Sequence, residues 1–139
     1  MPVPPKLRLR VIGRANGRCE YCGLSSLGQA ATFHIDHIIP QAAGGMTHFD
    51  NLALACIHCS LRKCARQRVR DPRSGKMAPI FHPRQHHWNL HFRWVGLRLI
   101  GITPTGRATI EALGLNTPDH LIIRGFEKKL GRHPPPGHA

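Results

Sequence analysis

Apolar residues recur at every fourth position in Leu7, Val11 and Ala15, with Arg8, Arg10 and Arg14 between them. That spacing predicts a short amphipathic helix after an irregular Pro-rich lead-in at residues 2–5, and Asn16-Gly17 ends it. From Thr32 to Ile39 the β-branched and aromatic content predicts a strand, closed by Pro40. A Gly-rich loop, QAAGGMTHFDN, leads to a second short strand in NLALAC. SLRKCARQRVR then predicts a basic helix closed by Asp71-Pro72.

The second half differs in texture. Arg73 to Arg84 is Pro-rich and reads as irregular, HFRWVGLRLIGIT as a hairpin turning near Val95-Gly96, and TGRATIEALGL as a helix capped by Thr105. Pro118 to Leu130 predicts a last helix, and GRHPPPGHA, residues 131–139, a disordered tail. The expected class is α+β. We expect one domain over residues 1–130, with a core over about 6–71 and an extension of hairpin and helices over about 76–130.

The pattern breaks at FHIDHIIPQ, residues 33–41, where His34, Asp36 and His37 interrupt an otherwise apolar strand. A strand that only filled a core would carry aliphatic residues there, because an ionisable group withdrawn from water needs a partner or loses its charge. In extended backbone His34 and Asp36 share a face, and His37 emerges as the strand reaches Pro40. A carboxylate among imidazoles can hold a hard or borderline cation with positions left open, and a neutral imidazole can take a proton from water near pH 7. Together they suit hydrolysis of a phosphodiester.

Charge points the same way. Twenty Lys and Arg against seven Asp and Glu give the 139 residues a formal charge of +13, which favours a polyanionic partner through counterion release. No apolar run is long enough to span a bilayer, and the first residues lack the pattern of a secretory signal, so a cytoplasmic protein is expected. In a reducing compartment five cysteines read as metal ligands or free thiols. Four of them form CEYCG and CIHCS: Cys19, Cys22, Cys56 and Cys59 make two C-x2-C knuckles able to close a tetrahedral structural Zn²⁺. Such a site has no open position, so any chemistry lies elsewhere. Cys64, the fifth, is expected to face the core.

The order C-x2-C, D-H-I-x-P, Gly44-Gly45, D-N-L and C-x2-C-x3-K over Cys19 to Lys63 resembles the HNH endonuclease family, whose core is a ββα-metal motif. The run from Phe81 to Asn116 is similar to an extension found in a subgroup of bacterial HNH proteins. The resemblance implies that His37 is a general base activating water. It implies that Asp36 binds a catalytic Mg²⁺ or another divalent ion such as Mn²⁺ or Ni²⁺, and that Asn51 pins the loop between the strands and orients the base. The partner it implies is DNA, in duplex form, cut to 5′ phosphate and 3′ hydroxyl ends.

One position departs from the family pattern. The His or Asn that completes the catalytic metal shell is replaced by Ser60, a shorter and poorer ligand, which leaves His34, on the face of Asp36, as the nearest substitute. His48 and Asp50 in the loop, and His82, His86, His87 and His91 around Trp88, are further imidazoles and carboxylates whose simpler reading is surface or packing. Lys63, Arg62, Arg66, Arg68 and Arg70 are expected along the basic helix, where they would meet phosphates. Two readings follow: a metal-dependent DNA endonuclease, or a zinc-stabilised nucleic-acid-binding module that is weak or inactive because of Ser60. The Asp36-His37 pair separates both from a plain zinc module.

Overall fold

A computed structural model describes residues 3–138; Pro2 of the expected lead-in and Ala139 of the expected tail lie outside the described residues. The described chain is α+β, with three separate two-stranded antiparallel sheets and five helices. Its contacts divide it into two compact units at Ala65/Arg66.

The first unit holds helix α1 (Pro5–Arg14), strands β1 (His34–His37) and β2 (Leu52–Ala55), and helix α2 (Ile57–Lys63). Pro5 opens α1 at a position where its missing N–H costs nothing. Strand β1 pairs antiparallel with β2 in the register His34 to Ala55 and Asp36 to Ala53. All four β2 residues, Leu-Ala-Leu-Ala, are buried, because α1 and α2 both pack on that strand. Val11, Tyr21, Phe33, Ile38, Leu52 and Leu54 complete the core around the cysteines. This is the expected ββα arrangement. Helix α2 is shorter than its sequence suggests: it ends at Lys63, and Cys64 turns the chain with φ +49°. Cys64 is exposed, its thiol donating to the Leu61 carbonyl at 2.9 Å, so it does not face the core as expected.

The second unit begins with a hairpin where the sequence predicts the end of that helix and an irregular run. Strand β3 (Arg68–Arg70) pairs with β4 (Met77–Pro79). Helix α3 (Trp88–His91) leads into the expected hairpin of β5 (Phe92–Val95) and β6 (Arg98–Gly101), followed by α4 (Pro104–Leu113) and α5 (Pro118–Lys129). Helix α4 packs on β6 and on the β3–β4 hairpin. Its cap is Thr103, whose hydroxyl accepts from Gly106 N–H at 3.0 Å; Thr105, the expected cap, is buried in the first turn. Residues after α5 are also engaged. Arg132 makes a bidentate pair with Glu127 at 2.9 and 2.7 Å, and the His138 ring stacks on Trp88 at 3.6 Å. No described helix is long and apolar enough to cross a membrane.

Candidate functional site

The two knuckles meet inside the first unit. Cys19, Cys22, Cys56 and Cys59 are all buried, and their sulfurs lie within 4.8 Å of one another. The first knuckle is tied to β2 twice: Glu20 N–H donates to Leu54 O at 2.8 Å, and Leu54 N–H donates to the Glu20 carboxylate at 2.8 Å. The second knuckle opens α2, with Cys56 sulfur accepting from Cys59 N–H. Burial opposes ionisation of Cys19, yet hydrogen bonds from the other three thiols hold it well below the ordinary thiol range. The bond with Cys19 pushes Cys22 and Cys59 well above it. Without a cation the cluster thus favours ionisation of Cys19 over Cys22 and Cys59, whereas a metal ion would compensate the thiolates bound to it. The donor set and closed geometry place the cysteines to bind a metal and are consistent with structural zinc. Among the described residues this is the one group of three or more His, Cys, Asp or Glu side chains that converges so closely.

A second arrangement lies on the opposite side of chemistry: polar, open and oxygen-rich. Val3, Arg8, His34, Ile35, Asp36, His37 and Gln41 line an open cleft of about 510 Å³. His34 and Asp36 share a face of β1, as a period of two requires, and that face meets α2. Ser60 of α2 donates its hydroxyl to Asp36 Oδ1 at 3.1 Å and sits 2.8 Å from His34 Nδ1. Because the one hydroxyl proton goes to Asp36, Nδ1–H is the donor to Ser60, and the lone pair of a neutral His34 then belongs to Nε2. Ser60 therefore links the two side chains that flank it.

His37 Nε2 lies 2.8 Å from Thr47 Oγ1. Asn51 does not bond His37 but closes the intervening loop. Its Oδ1 accepts from Ile39 N–H at 2.9 Å, and its Nδ2 donates to Ile39 O at 3.1 Å and Met46 O at 2.9 Å. Gly45 is needed where the loop folds back, since a Cβ there would lie 1.8 Å from Ile39 O and 2.9 Å from Asn51 Nδ2. The loop ends on Thr47, so Asn51 fixes the residue that His37 leans on. Thr47 was missed in the sequence because nothing local marks its hydroxyl.

Other expected site residues are placed differently. Lys63 is 2 % exposed, and its ammonium donates to Ile38 O at 3.1 Å. Burial lowers its pKa while the Asp36 charge raises it. It braces the end of β1 and offers nothing to a phosphate in solvent. Arg62 alone of the expected arginines is on α2. Arg66 reaches Ala112 O at 3.1 Å in the second unit, and Arg68 and Arg70 stand on β3. His48 and Asp50 are exposed loop residues outside the cysteine group. In the second unit the His82 and His86 Nδ1 atoms accept backbone N–H groups, and the His86 and His91 rings pack around Phe81, the arrangement of packing residues. Arg8 is a gain: it lines the cleft with its guanidinium held at 3.0 Å on Phe33 O.

Residues 19–66 match the family model of the HNH endonuclease. This chain carries an HNH domain. Its match begins at the first zinc-type cysteine and ends one residue past the boundary of the first unit. A curated relative, the Septu protein PtuB of Bacillus thuringiensis, is 22 % identical over 120 residues, covering 85 % of this chain. The chain spans 44 % of that relative's length. The matched segment contains the four cysteines and Asp36, and an HNH domain implies a nuclease or nucleic-acid-related function.

Proposed function

We propose that the protein is a metal-dependent endonuclease that hydrolyses phosphodiester bonds of duplex DNA in the cleft beside β1. The observation that carries this reading is that His34 and Asp36, linked through Ser60, line an open cleft together with His37. Asp36, Ser60 and His34 offer carboxylate oxygen, hydroxyl oxygen and imidazole nitrogen, a donor set that fits Mg²⁺, Mn²⁺ or Ni²⁺. Such an ion, when bound, would supply Lewis-acid stabilisation of charge on the phosphate and on the leaving oxygen.

The rest is done by side chains. In the tautomer that donates Nε2–H to Thr47, His37 keeps its lone pair on Nδ1, from which it would take a proton from the attacking water. Thr47 and Asn51 hold that ring in place, and Lys63 fixes the Ile38 carbonyl next to it. Arg8 offers its remaining N–H groups to a phosphate entering the cleft. The four-cysteine site ties β2, α2 and the first knuckle together and takes no part in the reaction.

The test is nicking of supercoiled plasmid with Mg²⁺, Mn²⁺ or Ni²⁺, beside a His37→Ala control. Wild type should nick with at least one ion, and the control should lose the activity by two or more orders of magnitude. Equal activity in the two proteins with every ion would remove the endonuclease reading. Retained duplex binding in that case would leave the zinc-stabilised binding module, which Ser60 in place of a stronger ligand favours.

A further inference from the structure

We infer that the β3–β4 hairpin of the second unit is a phosphate-binding surface that tracks the backbone of duplex DNA. This rests on the reading of the chain as a protein that acts on DNA. The segment RVRDPRSGK folds into two strands and a turn. Val69 and Ala78 are buried on one face, the face toward α4, so the period of two turns Arg68 and Arg70 outward on the other. Arg73 and Lys76 project from the turn, and all four cations are exposed.

The single acid of the segment is withheld from that surface. Asp71 is 0 % exposed, and its carboxylate accepts two N–H groups of Arg107 at 3.0 and 2.9 Å. It also accepts the Ser74 hydroxyl at 2.8 Å and Arg73 N–H at 3.1 Å. The inward salt bridge shapes the turn and removes the one charge that would offset the outer face. Arg68 donates to Met77 O at 3.3 Å and Arg70 to Gly75 O, contacts that fix the side chains across the strands while leaving other guanidinium N–H groups for an anion. Two arginines about 7 Å apart on a strand face, followed by two cations on its turn, present a short row of donors. Neither the bare charge of the chain nor the HNH match, which ends at residue 66, assigns this element.

The experiment is duplex binding by full-length protein in a His37→Ala background, followed over a range of salt, so that cleavage does not enter. Three further versions are compared: Arg68→Gln/Arg70→Gln/Arg73→Gln/Lys76→Gln, a charge-matched control with Arg93, Arg98, Lys128 and Lys129 changed to Gln, and the charge-keeping Arg68→Lys/Arg70→Lys. The hairpin version should lose roughly 3 to 4 units from the slope of log K against log salt, about 0.9 per phosphate contact. The control should lose less than half of that, and the lysine pair should bind within about threefold of its parent. Equal slopes for the hairpin and control versions would overturn the proposal. So would a lysine pair as weak as the Gln version, since the effect would then be on hairpin structure. A loss confined to vesicles containing phosphatidylserine, with duplex binding intact, would overturn it in favour of a membrane surface. Because the readout is binding, its failure leaves the plasmid-nicking result standing, and the reverse.

Discussion

Ser60 joins an imidazole and a carboxylate through a single hydroxyl, and the Thr47 hydroxyl bonds the second histidine. Each assignment has a consequence. Removing the Ser60 hydroxyl leaves Asp36 and His34 unlinked, so Ser60→Ala should raise the divalent-ion concentration needed for nicking by roughly 10- to 100-fold, the usual effect of losing such a partner. Ser60→Asn should raise activity at limiting metal, because a carboxamide oxygen reaches further. A metal titration of plasmid nicking reads both, and an unchanged midpoint in Ser60→Ala would remove Ser60 from the metal site. Thr47→Val should lower kcat about tenfold at constant KM, since it frees the His37 ring without touching DNA-binding groups. Thr47→Ser should keep the wild-type rate, and a loss in Thr47→Ser with none in Thr47→Val would mean that the methyl group, and so packing, is what matters.

Elements were legible in proportion to how local their causes are. Strands β1 and β2 and the knuckles could be read directly, because the signal for each lies within a few residues: a β-branched run, a buried Leu-Ala-Leu-Ala, a C-x2-C. The β3–β4 hairpin could not, since Arg-Val-Arg is compatible with a helix and the deciding contact, Asp71 with Arg107, spans 36 residues. The α4 cap was displaced by two residues for a similar reason. Thr103 is held by His91, whose Nδ1 lies 2.6 Å from the Thr103 hydroxyl across the β5–β6 hairpin. Burial, and then the neighbouring His86, lowers the His91 pKa from 6.5. As pH falls through 6.5 the unfolded chain takes up a proton that the native site resists, so this group costs stability with falling pH until the lowered native value is passed. Wild type should therefore lose more Tm than His91→Gln between about pH 7.5 and about pH 5. A steeper loss in the variant would show that His91 is not the group responsible.

At the scale of the whole molecule, the HNH match and the first compact unit end within a residue of each other, and the cysteine cluster lies wholly within that unit. The charge is distributed the other way: thirteen of the twenty Lys and Arg and four of the seven Asp and Glu fall after Ala65, so the second unit carries +9 of the +13. The cysteine cluster and most of the net positive charge thus lie in different parts of the chain. The first unit has short strands, a four-residue sheet pairing and a core that includes four buried cysteines. Without a cation four thiols are left to share a closed space, and the apolar remainder is small for independent stability. The second unit has its own core of Val69, Phe81, Phe92, Leu99, Leu113 and Leu115, with no cysteine in it. Purified, reduced protein should thus contain about one zinc per chain. A strong chelator should expose residues 1–65 to limited proteolysis while residues 66–139 stay protected. Hydrogen exchange followed by mass spectrometry of the two halves would read the same separation. Simultaneous loss of protection in both halves would mean that the second unit depends on the metal-held one, and retained protection in both would mean that the cysteines are structural without any ion.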